Sequence, residues 1–506
     1  MLKIKNTIFA ILCVVSLSAM FSSCKKDRNF NDPLTPGPDL NFYALTADSK
    51  LLLINANTPS TVTSQVSITG LQTGETILGI DFRPSTGQLY GIGSSSRLYV
   101  IDQKTGVARS ISAAPFSPVL SGTSVAFDFN PTVDRIRLVT STGQNLRLNP
   151  ETGTVAATDG TINGVTNAKV TAAAYTQNKA GATTTVLFDI DVANDKLHKQ
   201  DPPNDGKLVE VGSLGYDVED ASGFDINPDG TSALAAMSVG GTSSLFIIDT
   251  NTGKASKIGN FTQQITGLAI PTEAVAYAIS ATNDLLIFNH LATMPTIIAK
   301  PITGIQAGET ILGIDMRPVN GQIYALGSTS RIYTINASSG VAAAVTASPL
   351  STLLVGTQFG FDFNPTVDRI RIVSNTGQNL RFNPADGTVI VDGNISLSTA
   401  AVTGSAYTNN VAAAASTVLF NIDSTGDRLY KQDPPNAGTL VDVGALGVNV
   451  EASNGFDIGS TSGIAYGLFT VGTTQRVYTV NLTTGAATAL GTVSTASRAF
   501  TVGLGF

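Results

Sequence analysis

The chain has 506 residues, a formal net charge of −7 and a charged fraction of only 13%. A protein that binds nucleic acid presents a basic face to the phosphates, so this charge balance argues against a nucleic-acid partner. The 49 glycines and the absence of tryptophan are typical of an exported all-β protein with many tight turns. The length is sufficient for two hydrophobic cores.

The N-terminal residues have the pattern of a lipoprotein signal peptide. Lys3 and Lys5 precede an apolar run, Ile8–Met20, which is too short to span a bilayer as a helix. The sequence that follows, Phe21–Cys24, resembles a bacterial lipobox. We therefore expect residues 1–23 to be a cleaved signal peptide and Cys24 to carry the lipid.

The expected mature chain begins with a tether. Residues 24–40 include the Pro-rich sequence NDPLTPGPD, which is typical of a semi-rigid spacer. Cys13 leaves with the signal peptide, so no disulfide is expected in the mature fold. The pattern is similar to lipoproteins of the Bacteroidetes. This resemblance implies an exported protein that is lipid-anchored to the envelope, at the outer membrane, on either its periplasmic or its surface side.

The chain is an internal duplication. The sequence at Phe127–Pro150 returns at Phe361–Pro384 with 20 of its 24 positions identical. A second motif, GETILGIDFRP at Gly74–Pro84, returns as GETILGIDMRP at Gly308–Pro318. The chain therefore consists of two tandem copies.

A finer period lies inside each copy. Strand-like segments with a central apolar residue recur every 44 to 50 residues, and no helical face occurs in the mature chain. A period of this length built from strands alone is typical of a β-propeller with four strands per blade. The sequence predicts two tandem five-bladed rings, residues 41–270 and 271–506. One ten-bladed ring is the alternative.

One unit illustrates the expected strands. The segments Thr76–Phe82, Gln88–Gly93, Arg97–Asp102 and Val107–Ile111 are separated by turns rich in Gly, Pro and Ser. Proline lies between the strands rather than within them, where it would remove a hydrogen bond from the sheet.

A late strand of each copy is expected to complete the sheet that the first strands of that copy begin. These strands are predicted at Ile265–Ile270 and Val502–Phe506, with Leu504 as the counterpart of Leu268. Such closure removes the exposed edges that would otherwise pair with other chains.

Three motifs together resemble a known family. GETILGIDFRP, FNPTVDRIRLV and TGQNLRLNP are similar to bacterial secreted proteins of domain-of-unknown-function family 4394. The resemblance covers both copies. Because the family also occurs as a single copy, it implies that one copy folds alone, which favours two rings. The resemblance implies no function.

Acidic residues recur at one position of the inner strands and form the first candidate site. Arg83 and Arg317 follow the first acid of each copy by two residues and belong to the same candidate ligand-binding set. If the acids face the axis of a ring, they could bind a cation such as Ca²⁺, and apart from that no cofactor is expected. The alternative is that each acid caps its own turn. The acids are Asp81, Asp128 and Asp225 in the first copy and Asp315, Asp362 and Asp457 in the second.

Arginines form the second candidate site. Arg135 and Arg137 lie two apart on one strand, and Asn145 and Arg147 repeat the spacing on the next, so an anion could bind a shared patch. The alternative is a network between sheets with Asp128, Asp134 or Asp81 as partners. The counterparts in the second copy are Arg369, Arg371, Asn379 and Arg381.

Catalytic motifs are absent from the sequence. The two histidines, His198 and His290, are not duplicated, and there is no HExxH, GxSxG or mature cysteine nucleophile. The sequence favours a binding or scaffolding lipoprotein whose partner is an envelope protein or a glycan. A metal-dependent hydrolase or lactonase that uses the inner-strand acids, and a purely structural or adhesive envelope component, are the alternatives.

Overall fold

The computed structural model describes residues 33–452 and 454–506, so Cys24 and the signal peptide lie outside the described residues. Residues 34–506 form one compact unit. We call residues 34–270 the first half and residues 271–506 the second half. The described residues are all-β, as the sequence predicts, with two short 3₁₀ turns at Pro203–Asp205 and Pro435–Ala437.

The strands of the first half are β1 (Asn41–Thr46), β2 (Lys50–Asn55), β3 (Val62–Ser67), β4 (Ile77–Phe82), β5 (Leu89–Gly93), β6 (Arg97–Ile101), β7 (Ala108–Ser110), β8 (Val125–Asn130), β9 (Arg135–Thr140), β10 (Asn145–Asn149), β11 (Thr154–Thr158), β12 (Val170–Tyr175), β13 (Leu187–Asp191), β14 (Lys196–Gln200), β15 (Leu208–Ser213), β16 (Asp220–Ile226), β17 (Ala233–Val239), β18 (Thr242–Ile248), β19 (Ala255–Asn260) and β20 (Ile265–Ala269).

The strands of the second half are β21 (Ala276–Ser280), β22 (Asp284–Phe288), β23 (Ile298–Pro301), β24 (Ile311–Met316), β25 (Ile323–Gly327), β26 (Arg331–Ile335), β27 (Ala342–Ala344), β28 (Phe359–Asn364), β29 (Arg369–Ser374), β30 (Asn379–Phe382), β31 (Val389–Val391), β32 (Val402–Tyr407), β33 (Leu419–Asp423), β34 (Arg428–Gln432), β35 (Leu440–Ala445), β36 (Gly455–Ile458), β37 (Ala465–Val471), β38 (Thr474–Val480), β39 (Ala487–Thr492) and β40 (Ser497–Val502).

The described strands form ten four-stranded antiparallel sheets of the kind that make propeller blades. Eight sheets consist of four consecutive strands. In the other two, the last strand of a half joins the first three strands of the same half: β20 lies beside β1, and β40 lies beside β21. The predicted strand Ile265–Ile270 thus completes the first sheet of its own half.

The first strand of each consecutive sheet, together with β20 and β40, is called here an inner strand. In the first half, β4, β8, β12, β16 and β20 contact one another in that order, and β20 also contacts β4. In the second half, β24, β28, β32, β36 and β40 do the same, and β40 contacts β24.

Neighbouring inner strands approach closely because small residues face their neighbours. A Cβ added to Gly223 would lie 2.3 Å from the backbone nitrogen of Leu268, and one added to Gly79 would lie 3.1 Å from the Cβ of Phe127. Any larger residue at Gly223 would force β16 away from β20. The glycines in the recurring inner-strand pattern are therefore packing requirements.

Apolar side chains fill the space between successive sheets. Tyr90 on β5 packs on Phe129 of the next sheet with ring centroids 5.2 Å apart, and Tyr324 packs on Phe363 in the same way at 5.0 Å. All five residues of β5 are buried. Because such strands are covered on both faces, their sequences are runs of apolar residues rather than alternating patterns.

The predicted strands of the second sheet agree with the structure to within two residues. The strands observed there are β4 to β7, and the largest difference is in the outer strand, which spans only Ala108–Ser110. The turn residues located these strands well. Gly87, between β4 and β5, and Gly106, between β6 and β7, adopt positive φ angles of 71° and 76°, which favour glycine.

The predicted strand Val502–Phe506 is wrong. The strand is β40, Ser497–Val502, and its Phe500 pairs with Ala278 as Leu268 pairs with Ala44 in the first half. Phe500, not Leu504, is therefore the counterpart of Leu268. The C-terminal Phe506 instead packs against Gly87, and its carbonyl oxygen accepts a hydrogen bond from the Thr461 N–H at 3.0 Å.

The two halves contact each other through the turn after β4. The Tyr277 hydroxyl donates to the carbonyl oxygen of Ser85 at 2.8 Å, and the Gly505 N–H donates to that of Thr86 at 2.7 Å. The Arg83 guanidinium donates to the carbonyl oxygen of Asn320 at 3.1 Å. This junction buries the first half's turn beneath residues of the second half.

Candidate functional site

The recurrent acids converge in the interior of each half. One carboxylate oxygen from each of three residues lies within 4.8 Å of the other two, and each residue is only 1% exposed. In residues 33–452 and 454–506 these are the only groups of three or more His, Cys, Asp or Glu side chains so placed. We call Asp81, Asp128 and Asp225 the first acid cluster and Asp315, Asp362 and Asp457 the second acid cluster.

Each acid binds the backbone of the neighbouring inner strand. In the first half, the Phe129 N–H donates to Asp81 at 2.7 Å, and the Tyr175 N–H donates to Asp128 at 3.0 Å. Asp225 accepts the Ile270 N–H at 2.6 Å. The second cluster repeats these bonds with the N–H groups of Phe363, Tyr407 and Val502. The acids therefore join successive sheets, and Asp81 and Asp225 also accept the N–H of the residue that follows them. Those residues, Phe82 and Ile226, are the last of β4 and β16, so these bonds do not cap the turns that follow.

Burial dominates the electrostatics of the clusters. It raises the pKa of Asp81 well above the usual range, and the neighbouring Asp225 raises it further, while backbone N–H donors oppose the change. Burial also raises the pKa of Asp225 to about 7 and that of Asp457 to about 6. The clusters thus favour either protons or a bound cation, because three adjacent carboxylates cannot all stay charged in a dry interior.

An asparagine that the sequence analysis missed contacts the first acid cluster. Asn178 donates its amide N–H to Asp225 at 3.3 Å, while its amide oxygen is buried without a donor. The equivalent residue of the second half is Asn410, which is 1% exposed, and among the described residues its amide oxygen likewise has no donor. A signal was available: the sequence AYTQN at 174–178 returns as AYTNN at 406–410.

The arginine that follows each first acid forms an ion pair with the next sheet. Arg83 is fully buried, and its Nε and Nη2 donate to the two carboxylate oxygens of Asp134 at 2.9 and 2.5 Å. Burial alone would raise the pKa of Asp134, but the Arg83 guanidinium holds it below its usual value. Arg317 and Asp368 repeat the pair with the same two distances.

The exposure of this ion pair differs between the copies. The side chains of Arg83 and Asp134 are 0% and 3% exposed, whereas those of Arg317 and Asp368 are 19% and 30% exposed. Asn320 of the second half contacts Arg83, and the first pair also has Glu151 and Ser85 as partners. The second copy has Ala385 and Val319 at those two positions.

Arg137 and Arg147 share one carboxylate. They lie directly opposite each other on β9 and β10, and both donate to Asp159, Arg137 at 2.5 Å and Arg147 at 2.8 and 2.9 Å. Arg137 also donates to the amide oxygens of Asn145 and Asn204 at 2.9 and 2.8 Å. The second half repeats the arrangement with Arg371, Arg381, Asp392, Asn379 and Asn436.

Asp159 corrects the expected partners. The sequence analysis proposed Asp128, Asp134 or Asp81 for the arginines on β9 and β10, because those acids lie in the duplicated motifs. The observed partner lies beyond β11, in an Asp-Gly pair that recurs as Asp392-Gly393. Among the described residues, Arg135 donates only to the backbone carbonyl of Asp134, at 2.8 Å, and Arg369 only to the carbonyls of Val367 and Asp368.

A long loop in each half is braced by the duplicated TGQN motif. Gln144 donates to the carbonyl oxygen of Val119 at 2.9 Å and accepts the Ser121 N–H at 3.0 Å. Ser96 accepts the Leu120 N–H at 2.9 Å. Gln378 and Ser330 hold the second copy through the same bonds to Leu353, Val355 and Leu354. We call residues 111–124 and 345–358 the braced loops.

Comparison with known families identifies the two copies. The model of the family described as Domain of unknown function (DUF4394) matches residues 50–269 and again residues 284–503. The chain belongs to this family. The sequence resemblance is thereby confirmed, in two tandem copies.

Comparisons with curated proteins and with solved structures assign no function to this DUF4394 protein. No curated protein matches the chain significantly. A solved structure, the extracellular domain of the hybrid two component system BT4673 from B. thetaiotaomicron, aligns with 93% of this chain and 68% of its own. The identity is 11% and the TM-score is 0.26, a score too low to define a common fold.

No helix in residues 33–452 and 454–506 is long and apolar enough to cross a bilayer.

Proposed function

We propose that this DUF4394 chain is a lipid-anchored protein of the bacterial envelope that uses two rigid β-propellers to hold a partner protein. The observation that carries the binding role is the braced loop, which both copies build from the same bonds and which exposes an aliphatic side chain. Val119 is 61% exposed and Leu353 is 62% exposed. Loops fixed on a rigid scaffold are common binding elements.

Strand pairing supports two five-bladed rings rather than one ring of ten blades. In a single ring, β20 would lie between the inner strands of the first and second halves. Instead β20 pairs with β1 and contacts β4 and β16, all within the first half. The equivalent contacts of β40 with β21, β24 and β36 support closure of the second half.

The acid clusters do not favour a hydrolase. Each acid of the first acid cluster is 1% exposed, and its carboxylate accepts a backbone N–H from a neighbouring inner strand or the residue after it. The carboxylates are thus engaged in joining the sheets and are not presented at the surface to a substrate.

Lipidation of Cys24 should fix the protein to the envelope. A multiply acylated cysteine anchors firmly, because each buried methylene contributes about 0.8 kcal/mol. Mass spectrometry of the membrane fraction should find an acylated N-terminal Cys24, and Cys24→Ala should abolish membrane association. Cys13→Ala is the matched control and should leave fractionation unchanged. A mature N-terminus at another residue would exclude this anchor.

The partner should be a protein, because exposed aliphatic side chains are stabilised by burial against an apolar surface. Cross-linking of the full-length protein in whole cells should capture it. The double substitution Val119→Glu with Leu353→Glu should reduce capture about tenfold or more, as expected for residues at the centre of an interface. The melting temperature should stay within the range of ordinary surface substitutions.

Val391→Glu provides the control for this experiment. Val391 is 59% exposed, but its counterpart in the first half is Thr158, so the position is not an aliphatic feature of both copies. The control variant should capture the partner at the wild-type level. Capture of the same proteins by the double variant, or of glycan alone, would contradict the proposal.

A further inference from the structure

The interior of each half brings together side-chain oxygens from several sheets. In the first half, β4, β8 and β16 supply the first acid cluster, and the segment after β12 supplies Asn178. Three of the five inner strands, and the segment that follows a fourth, thus direct a polar side chain to one place. Asn178 is 1% exposed, as are the three acids.

The two asparagines point to a ligand. The amide of Asn178 contacts Asp225 through its nitrogen, and its oxygen is buried with no donor. A half-turn of the amide would exchange the two atoms and place the oxygen beside the carboxylates. Two oxygens facing each other repel unless a cation lies between them. Asn410 has the same unpartnered oxygen, so the feature belongs to both copies.

No side-chain cation neutralises the acids. In the described part of the chain, the donors to the six acids are backbone N–H groups, Asn178 and Thr501, and no Lys or Arg donates to them. The nearby arginines are committed to Asp134 and Asp159. A buried carboxylate without a counter-charge is strongly disfavoured, and each cluster contains three.

The second cluster has one further oxygen. The Thr501 hydroxyl lies 2.8 Å from Asp457 and 3.2 Å from Asp315, and the corresponding position of the first half is Ala269. The Thr501 hydroxyl thus brings a fourth inner strand, β40, to the second acid cluster beside β24, β28 and β36.

We propose that each acid cluster binds one calcium ion, with Asn178 or Asn410 turning its amide oxygen toward the metal. The ion would join the inner strands at the centre of each half. The donors are all oxygen, the ligand type of hard cations, and include no histidine or cysteine that would favour zinc. Calcium–oxygen distances of about 2.3–2.6 Å place opposite ligands roughly 4.6–5.2 Å apart, which the clusters can accommodate.

Magnesium fits the clusters less well. It binds at about 2.0–2.1 Å and usually keeps several water molecules. The six acids are each 1% exposed, so those water molecules would have to be buried with the ion. This inference concerns the interior and does not rest on the partner proposed above.

Calcium stoichiometry tests the proposal. The full-length protein in detergent, stripped with a chelator and dialysed against calcium chloride, should bind two calcium ions per chain by elemental analysis. Asp128→Asn should remove one, Asp362→Asn the other, and the double substitution both. Each asparagine keeps an oxygen that can accept the N–H of Tyr175 or Tyr407, so the sheets stay joined.

Two further variants keep the test decisive if these substitutions disturb folding. Asn178→Ala alters no backbone bond and should weaken binding at one site about tenfold or more, the effect typical of lost metal-supporting groups. Asp102→Asn changes an exposed acid whose counterpart is already Asn336, and it should still bind two ions.

Either of two results would overturn the proposal. The first is that the folded wild-type protein, checked by circular dichroism, binds no calcium. The second is that the cluster variants bind as many ions as Asp102→Asn, which would place the calcium on surface carboxylates. An equal concentration of magnesium should not displace the bound calcium, and full displacement would contradict the assignment of the metal.

Discussion

Replacing Arg137 by alanine should lower the free energy of unfolding by about 3–5 kcal/mol. The guanidinium is buried and donates to Asp159, Asn145 and Asn204. Its removal leaves the Asp159 carboxylate, itself only 6% exposed, with Arg147 as the remaining side-chain cation. The loop that carries Asn204 also loses a bond to β9. Denaturant unfolding at neutral pH measures the loss.

Arg135→Ala is the matched control on the same strand. Arg135 is partly exposed and donates only to the backbone carbonyl of Asp134, so its loss should change stability by less than about 0.5 kcal/mol. The pair Arg371→Ala and Arg369→Ala should repeat the contrast in the second half. Equal and small effects of Arg137 and Arg135 would mean that Arg137 is not structural and would favour an anion-binding role.

The sequence predicted the strands because local features determine them. The turn between β5 and β6 and the Gly-containing turns that flank these strands locate Leu89–Gly93 and Arg97–Ile101 without knowledge of their neighbours. The convergence of the acids could also be predicted from the sequence. Residues at the same position of successive repeats lie at the same level along the axis of a repeated structure.

Hydrogen-bond and ion-pair partners that depend on packing between sheets could not be predicted from the sequence. Asp159 meets Arg137 only because the segment after β11 folds back over β9 and β10. Asn178 reaches Asp225 across the space between two inner strands, although 47 residues separate them. Neither distance along the chain nor residue type identifies these pairs.

The position of the last strand and the contact between the halves were also not predictable from the sequence. The C-terminal residues 503–506 imitate the inner-strand pattern of small and apolar residues, but they pack at the junction instead. Arg83 and Arg317 hold equal positions in the duplicated motif, but Arg83 also contacts Asn320 of the other half and its ion pair is less exposed. A repeated sequence cannot encode which copy lies at a contact.

Loss of a closing strand should abolish cooperative folding of a half. β20 pairs with β1 along one edge and packs between β4 and β16, so its removal opens the first sheet and exposes the backbone groups of β1. The second half depends in the same way on β40, which pairs with β21 and contacts β24 and β36.

Separate expression of the halves, with and without their closing strands, tests the central claim of two independently closed five-bladed rings. Residues 34–270 and 271–506 should each melt in one cooperative transition, because each contains its own closing strand. Residues 34–264 and 271–496, which lack those strands, should show no cooperative transition by circular dichroism. The claim would be contradicted if neither complete half melted cooperatively while the whole chain did, or if removal of β20 and β40 left the transitions unchanged.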